Sequence, residues 1–107
     1  MNRRAKVLNN RVLAGMLEEN ESGYVFTYDP GYLSDPESRS ISLTLPRAET
    51  THISSRLFPF FHGLLAEGAL KEIQCRTLKI DENDHFGRLL KTAGGDVIGS
   101  VTIEEVM

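Results

Sequence analysis

Tryptophan is absent and cysteine occurs once, at Cys75. A single thiol closes no disulfide within the chain and cannot build a zinc site alone, which excludes a disulfide scaffold. A reducing, cytoplasmic setting is the simplest expectation. No apolar run approaches the roughly 18 residues that a spanning helix needs. Arg3, Arg4 and Lys6 are basic, but the stretch after them is broken by Asn9, Asn10 and Arg11, so no signal peptide is expected. Positive charge is not in excess: 12 Lys and Arg stand against 15 Asp and Glu, a net charge of -3. Without a basic field, direct nucleic-acid binding and attraction to a membrane surface are not expected.

Catalytic signatures are missing too. There is no G-x-x-x-x-G-K-S/T phosphate loop. There is no D-F-G, no Asp/Asn catalytic loop and no G-x-S-x-G elbow. His52, His62 and His85 have neither the spacing nor the neighbouring cysteine of a metal site, and read as exposed or edge histidines. Cys75 falls where an amphipathic helix is expected and reads as an inert, buried or half-buried thiol. Glu18, Glu19 and Glu21 read as the solvated lip of a turn, as do Glu104 and Glu105 near the other end. No catalytic residue, cofactor or metal is therefore assigned.

What is present is ordinary globular composition, 40% hydrophobic and 25% charged over 107 residues. One domain, 1–107, is expected. The first half has strand character. Residues 4 to 28 form a three-stranded meander, turned at Asn9-Asn10 and Ser22-Gly23, with Tyr24–Tyr28 its clearest strand. Tyr32 and Leu33 tuck back onto the core after Asp29-Pro30-Gly31. Ile41-Ser42-Leu43-Thr44-Leu45 alternates with period two and predicts a further strand, stopped by Pro46.

The second half changes period. Ser54 or Ser55 is expected to cap a helix carrying Leu57, Phe58, Phe61, Leu64 and Leu65, with Pro59 in its first turn. Phe58 and Phe60 lie about 200° apart on a helix, so not all three phenylalanines face one core. Gly68 reads as a stop signal. A second helix covers Ala69–Leu78, with Leu70, Ile73 and Leu78 inward. A third, capped from the Asp81–Asp84 region, carries Phe86, Leu89 and Leu90 and ends at Gly94-Gly95. Val97–Ile103 is the closing strand. The fold class is α+β: a small antiparallel, partly barrel-like sheet with about three helices inserted before the last strand.

Four strings stand in register: Ile41–Pro46, Leu57–Gly68, Asp84–Leu90 and Gly95–Val101. Together with Val7–Gly15 and Tyr24–Tyr28, they resemble the N-terminal subdomain of HipA-type kinases, in order and spacing. A full HipA kinase continues into a larger kinase core. This chain ends soon after Gly99–Val101, and so resembles the freestanding HipS form of three-part HipBST toxin–antitoxin systems. The resemblance implies an antitoxin or accessory subunit that binds and neutralises a HipT-like serine/threonine kinase, with a HipB-like helix-turn-helix protein as a further partner. It also implies an interface on the first helix and the loop after it: Phe60, His62, Leu65, Glu67, Gly68 and Ala69. Many relatives read Leu-Pro-Glu-Gly-Trp in that loop, and in the freestanding form the exposed tryptophan is implicated in reaching toward the kinase active site. Here the loop reads Leu65-Ala66-Glu67-Gly68-Ala69, so Ala69 stands where that anchor is expected.

Three other readings compete. The chain is the structural subdomain of a full-length HipA-like kinase contacting a HipB-like repressor; or it is a binding module for nucleic acid or a small ligand, with Tyr24, Phe26 and Tyr28 able to stack bases; or it is an independent enzyme.

Overall fold

A computed structural model describes residues 3–93 and 100–106. The meander is formed by β1 (Arg3–Asn9), β2 (Val12–Asn20) and β3 (Gly23–Tyr28). Asn10 and Arg11 take left-handed backbone, φ 51° and 69°. Two successive positive φ values are what a two-residue hairpin turn requires. The turn thus sits one place beyond the Asn9-Asn10 signal. Gly23 opens β3 at φ 139°, where a Cβ would run into the Ser54 backbone.

Two further strands complete an antiparallel sheet: β4 (Thr51–Ser54) beside β3, and β5 (Val101–Val106) beside β1. The order is β4-β3-β2-β1-β5, leaving β4 and β5 as the two edges of an open sheet. Directly opposed residues form two rows across its middle: Ile103, Val7, Gly15, Tyr28 and Glu105, Ala5, Leu17, Phe26. The register of β1 on β2 shifts between Val7 and Leu8, so Ala14 is the extra residue of a bulge. Gly15 is obligatory there, because a Cβ would meet the Phe26 ring and the Thr27 carbonyl.

Four helices lie among the described residues: α1 (Pro30–Ser34), α2 (Pro59–His62), α3 (Gly68–Leu78) and α4 (His85–Thr92). The last three stand between β4 and β5, as expected. Asp29 caps α1 and Asp84 caps α4 through their carboxylates. Tyr32 is buried and stacks on Tyr28, 6.0 Å between ring centroids, while Leu33 packs against the core. Phe86, Leu89 and Leu90 of α4 are buried, meeting the pattern read for the third helix.

Three expectations fail, each for a physical reason. Ile41–Leu45 is not a strand: Ser42 pairs only with Leu45, in a tight turn whose Leu43 is 99% exposed. Ile41 and Leu45 are buried because the Tyr28 hydroxyl accepts the Ile41 N–H at 3.1 Å and donates to the Leu45 carbonyl. The apolar residues at this spacing therefore brace a loop, and Thr51–Ser54 takes the place beside β3. Next, the Leu57–Leu65 segment is helical only over Pro59–His62. Ser54 ends β4 rather than capping a helix, Phe58 is the N-cap without a side-chain bond, and Gly63 closes the turn. Finally, Gly68 starts α3 rather than stopping a helix, and Leu70, Ile73 and Leu78 face outward, 55%, 56% and 46% exposed. The buried residue of α3 is Cys75. At 100° per residue, Leu70 and Ile73 lie about 140–160° round from it.

The closing strand pairs antiparallel with β1, but it runs Val101–Val106. The expected start at Val97 and the Gly94-Gly95 helix end lie outside the described residues.

Candidate functional site: the cleft between α2, α3 and α4

The expected interface residues gather at the junction of α2 and α3. Pro59 starts α2 where its missing N–H costs no hydrogen bond. Phe61 is fully buried, 5.7 Å from Phe26, and Phe60 lies half-buried edge-on to Phe61 at 5.2 Å. After α2, Leu64 and Leu65 donate back to the Phe61 and His62 carbonyls, each at 3.1 Å. This tight turn drives Leu65 into the core at 7% exposure. Leu65 is therefore a packing residue, and His62, Glu67, Gly68 and Ala69 are the exposed members of the set. Ala69 projects from the first turn of α3 without an aromatic anchor.

His62, Leu65, Glu67 and Gly68 line one cleft of about 250 Å³, whose remaining wall includes Lys71, His85 and Arg88. Phe60 and Ala69 lie outside it. The His62 and His85 rings stand 5.0 Å apart. Burial pushes the His85 pKa down, helped by the neighbouring His62, Arg88 and Lys71 and opposed by Asp84. Arg88 is 3% exposed and donates from Nη2 to the Ala66 carbonyl at 2.7 Å, which fixes the α2–α3 loop. Sequence reasoning gave Arg88 and Lys71 no role. Their distance along the chain from His62 hides the convergence, although Arg88 stands within the family-like Asp84–Leu90 string.

The other candidates go elsewhere. His52, on β4, contacts the Pro46 carbonyl at 3.0 Å and stands edge-on to Tyr28 at 6.1 Å. Among the described residues, no three His, Cys, Asp or Glu side chains are grouped to hold a metal ion. Glu19 is no solvated lip: it is half-buried and bound by Arg3 at 2.7 Å. Glu105 pairs with Lys91 at 3.2 Å. Phe26 and Tyr28 are fully buried and Tyr24 is stacked on Phe86 at 5.9 Å, so this strand presents no platform for bases. No described helix is long and apolar enough to cross a membrane.

The family model described as HipA N-terminal domain matches residues 5–104. The chain belongs to the HipA N-terminal domain family. Its fold is similar to a solved structure of the N-terminal domain of HipA toxin, with a TM-score of 0.74, 32% identity, and coverage of 98% of this chain and 93% of that one. An "Uncharacterized protein" of Haemophilus influenzae is 36% identical over 103 residues, 96% of this chain and 92% of the relative. The putative kinase Y4mE of Sinorhizobium fredii is 26% identical over 102 residues, but the match spans only 24% of that protein. The same unit thus occurs both as nearly the whole of a small protein and as a quarter of a larger one. The match is to the N-terminal domain, not to a kinase domain.

Proposed function

We propose that this chain is a HipS-like antitoxin or accessory subunit, acting in the cytoplasm, that binds and restrains a separate HipT-like serine/threonine kinase. The observation that carries the reading is the outward face of α3. Leu70 and Ile73 expose apolar surface on the side of an 11-residue helix opposite its only buried side chain, Cys75, and Leu78 adds exposed apolar surface at its C-terminal end. Large apolar side chains left together on a helix face mark an interaction surface. The small Haemophilus influenzae relative supports a freestanding unit, and Y4mE supports a kinase as the body it packs against. A HipB-like helix-turn-helix protein completes the proposed assembly. With Ala69 in place of an aromatic anchor, affinity comes from the α3 face rather than from one inserted side chain.

A partner restrains a kinase by occupying its cleft or by binding an inactive arrangement more tightly than the active one. The test is co-purification with the kinase encoded beside this gene, and rescue of growth from that kinase. Leu70→Asp with Ile73→Asp should abolish both while the chain stays folded. Retention of both activities by the folded double variant overturns the reading.

The match to a quarter of Y4mE favours a second reading: the structural subdomain of a full-length HipA-like kinase that contacts a HipB-like repressor. In that case the α3 face is covered within one polypeptide, and the neighbouring gene encodes no kinase lacking this subdomain.

A further inference from the structure

The cleft between α2, α3 and α4 is opposite in sign to the chain as a whole. Arg88, Lys71, His62 and His85 line it against one carboxylate, the exposed Glu67. A buried guanidinium is ordinarily matched by a carboxylate, because a lone charge taken out of water is costly. Among the described residues Arg88 meets none, and its side chain makes one hydrogen bond, to a backbone carbonyl. His85 Nδ1 is likewise buried without a partner. The N-terminus of α3 opens on the same space. Gly68 lines the cleft, the Glu67 N-cap makes no side-chain bond, and the first turn holds no acidic residue. The first amides of this helix therefore have no side-chain acceptor among the described residues, and the helix dipole favours negative charge there.

We propose that this cleft binds a phosphate-class oxyanion, held by Arg88, Lys71, His62, His85 and the first amides of α3. Donors converge from three helices. A tetrahedral dianion offers acceptors in several directions at once, whereas a carboxylate offers two in one plane. Burial first, then His62, Arg88 and Lys71, hold the His85 pKa down, while Asp84 opposes them and Glu67 is the carboxylate of the cleft wall. A bound anion reverses that balance and draws a proton onto the ring. The proposal stands apart from the kinase reading, since it concerns the chain alone.

The test is an NMR titration of the full chain with sodium phosphate, against sodium chloride at equal ionic strength. Saturable shifts are expected at the Gly68–Lys71 amides and the His62 and His85 rings, with the His85 pKa rising on binding. Lys71→Gln with His62→Asn should weaken binding about tenfold or more, whereas Lys91→Gln, which alters a residue paired with Glu105, should leave it unchanged. Phenyl phosphate distinguishes the source of the group: binding as tight as phosphate or tighter marks an esterified phosphate, and weaker binding marks the free ion. Shifts that are linear, equal in chloride or indifferent to the double variant overturn the proposal. So does acetate binding as tightly as phosphate.

Discussion

Arg3 grips Asp84, 81 positions away, through two parallel hydrogen bonds: Nη1 to Oδ2 at 3.0 Å and Nη2 to Oδ1 at 2.8 Å. The same guanidinium holds Glu19 at 2.7 and 3.0 Å and lies 5.3 Å over the Phe86 ring. Asp84 in turn accepts the Gly87 N–H at 3.1 Å as the N-cap of α4. One side chain near the start of β1 thus ties β2 and α4 together and sets the wall on which His85 and Arg88 stand.

Asp84→Ala removes both the cap and the clamp. The ion pair is about a third exposed, so the cap supplies most of the effect, and the expected loss is about 1–2 kcal/mol in urea unfolding. The pH dependence has a definite sign. Hydrogen bonds from Arg3 chiefly, with Gly87 N–H adding to them, hold the Asp84 carboxyl below its ordinary 3.8. The folded chain therefore binds this proton less readily than the unfolded one. The contribution is complete above that value and fades as pH falls through the lowered one. Asp84→Asn should flatten the acid limb of the stability profile.

Gly87→Ala tests the same clamp from the other side. A Cβ at position 87 would collide with the Asp84 carboxylate and crowd Arg3 Nη1. The substitution should destabilise the native chain and cost much less in an Asp84→Ala background. A double-mutant cycle reads that coupling, and simple additivity of the two costs would show that the clash is not with the carboxylate.

Tyr28→Phe keeps the ring in the core and removes a hydroxyl that both accepts from Ile41 N–H and donates to the Leu45 carbonyl. The buried amide is left without its partner, and the expected loss is about 1–3 kcal/mol. Hydrogen exchange at Ile41 should accelerate more than exchange within β1 and β2.

Leu65→Asp and Ile73→Asp separate core from surface. Leu65 is buried, so a carboxylate there should cost roughly 3 kcal/mol or more and abolish the folded circular dichroism spectrum. Ile73 is 56% exposed, and its substitution should leave the melting transition nearly unchanged. Equal destabilisation by the two would mean that α3 is packed with Ile73 inward.

Much of the fold was legible because local patterns agreed with it. Aromatic and β-branched residues at Tyr24–Tyr28 marked β3, Asn9-Asn10 marked the first turn to within one place, and the Asp81–Asp84 region marked the start of α4. The failures fall where a short apolar run fits two structures. Ile41, Leu43 and Leu45 alternate as a strand does, yet the Tyr28 hydroxyl holds their backbone in a loop. Leu70, Ile73 and Leu78 have the spacing of a buried helix stripe, yet only Cys75 meets the core. Periodicity reports that a face exists, not which body covers it. For the site, family position picked out the α2–α3 junction, while Lys71 and Arg88 were given no role and His85 read as an exposed or edge histidine.

The sequence alone determined the meander, the antiparallel return of the last strand, the order of the helices and membership of the HipA N-terminal domain family, because turn residues, caps and strand propensities act over a few neighbouring positions. Tertiary structure alone decided that the apolar face of α3 points away and that Arg88 lies buried beside two histidines. Those outcomes depend on which helices meet in space and which charges they enclose. Contacts between residues tens of positions apart leave no mark on local periodicity.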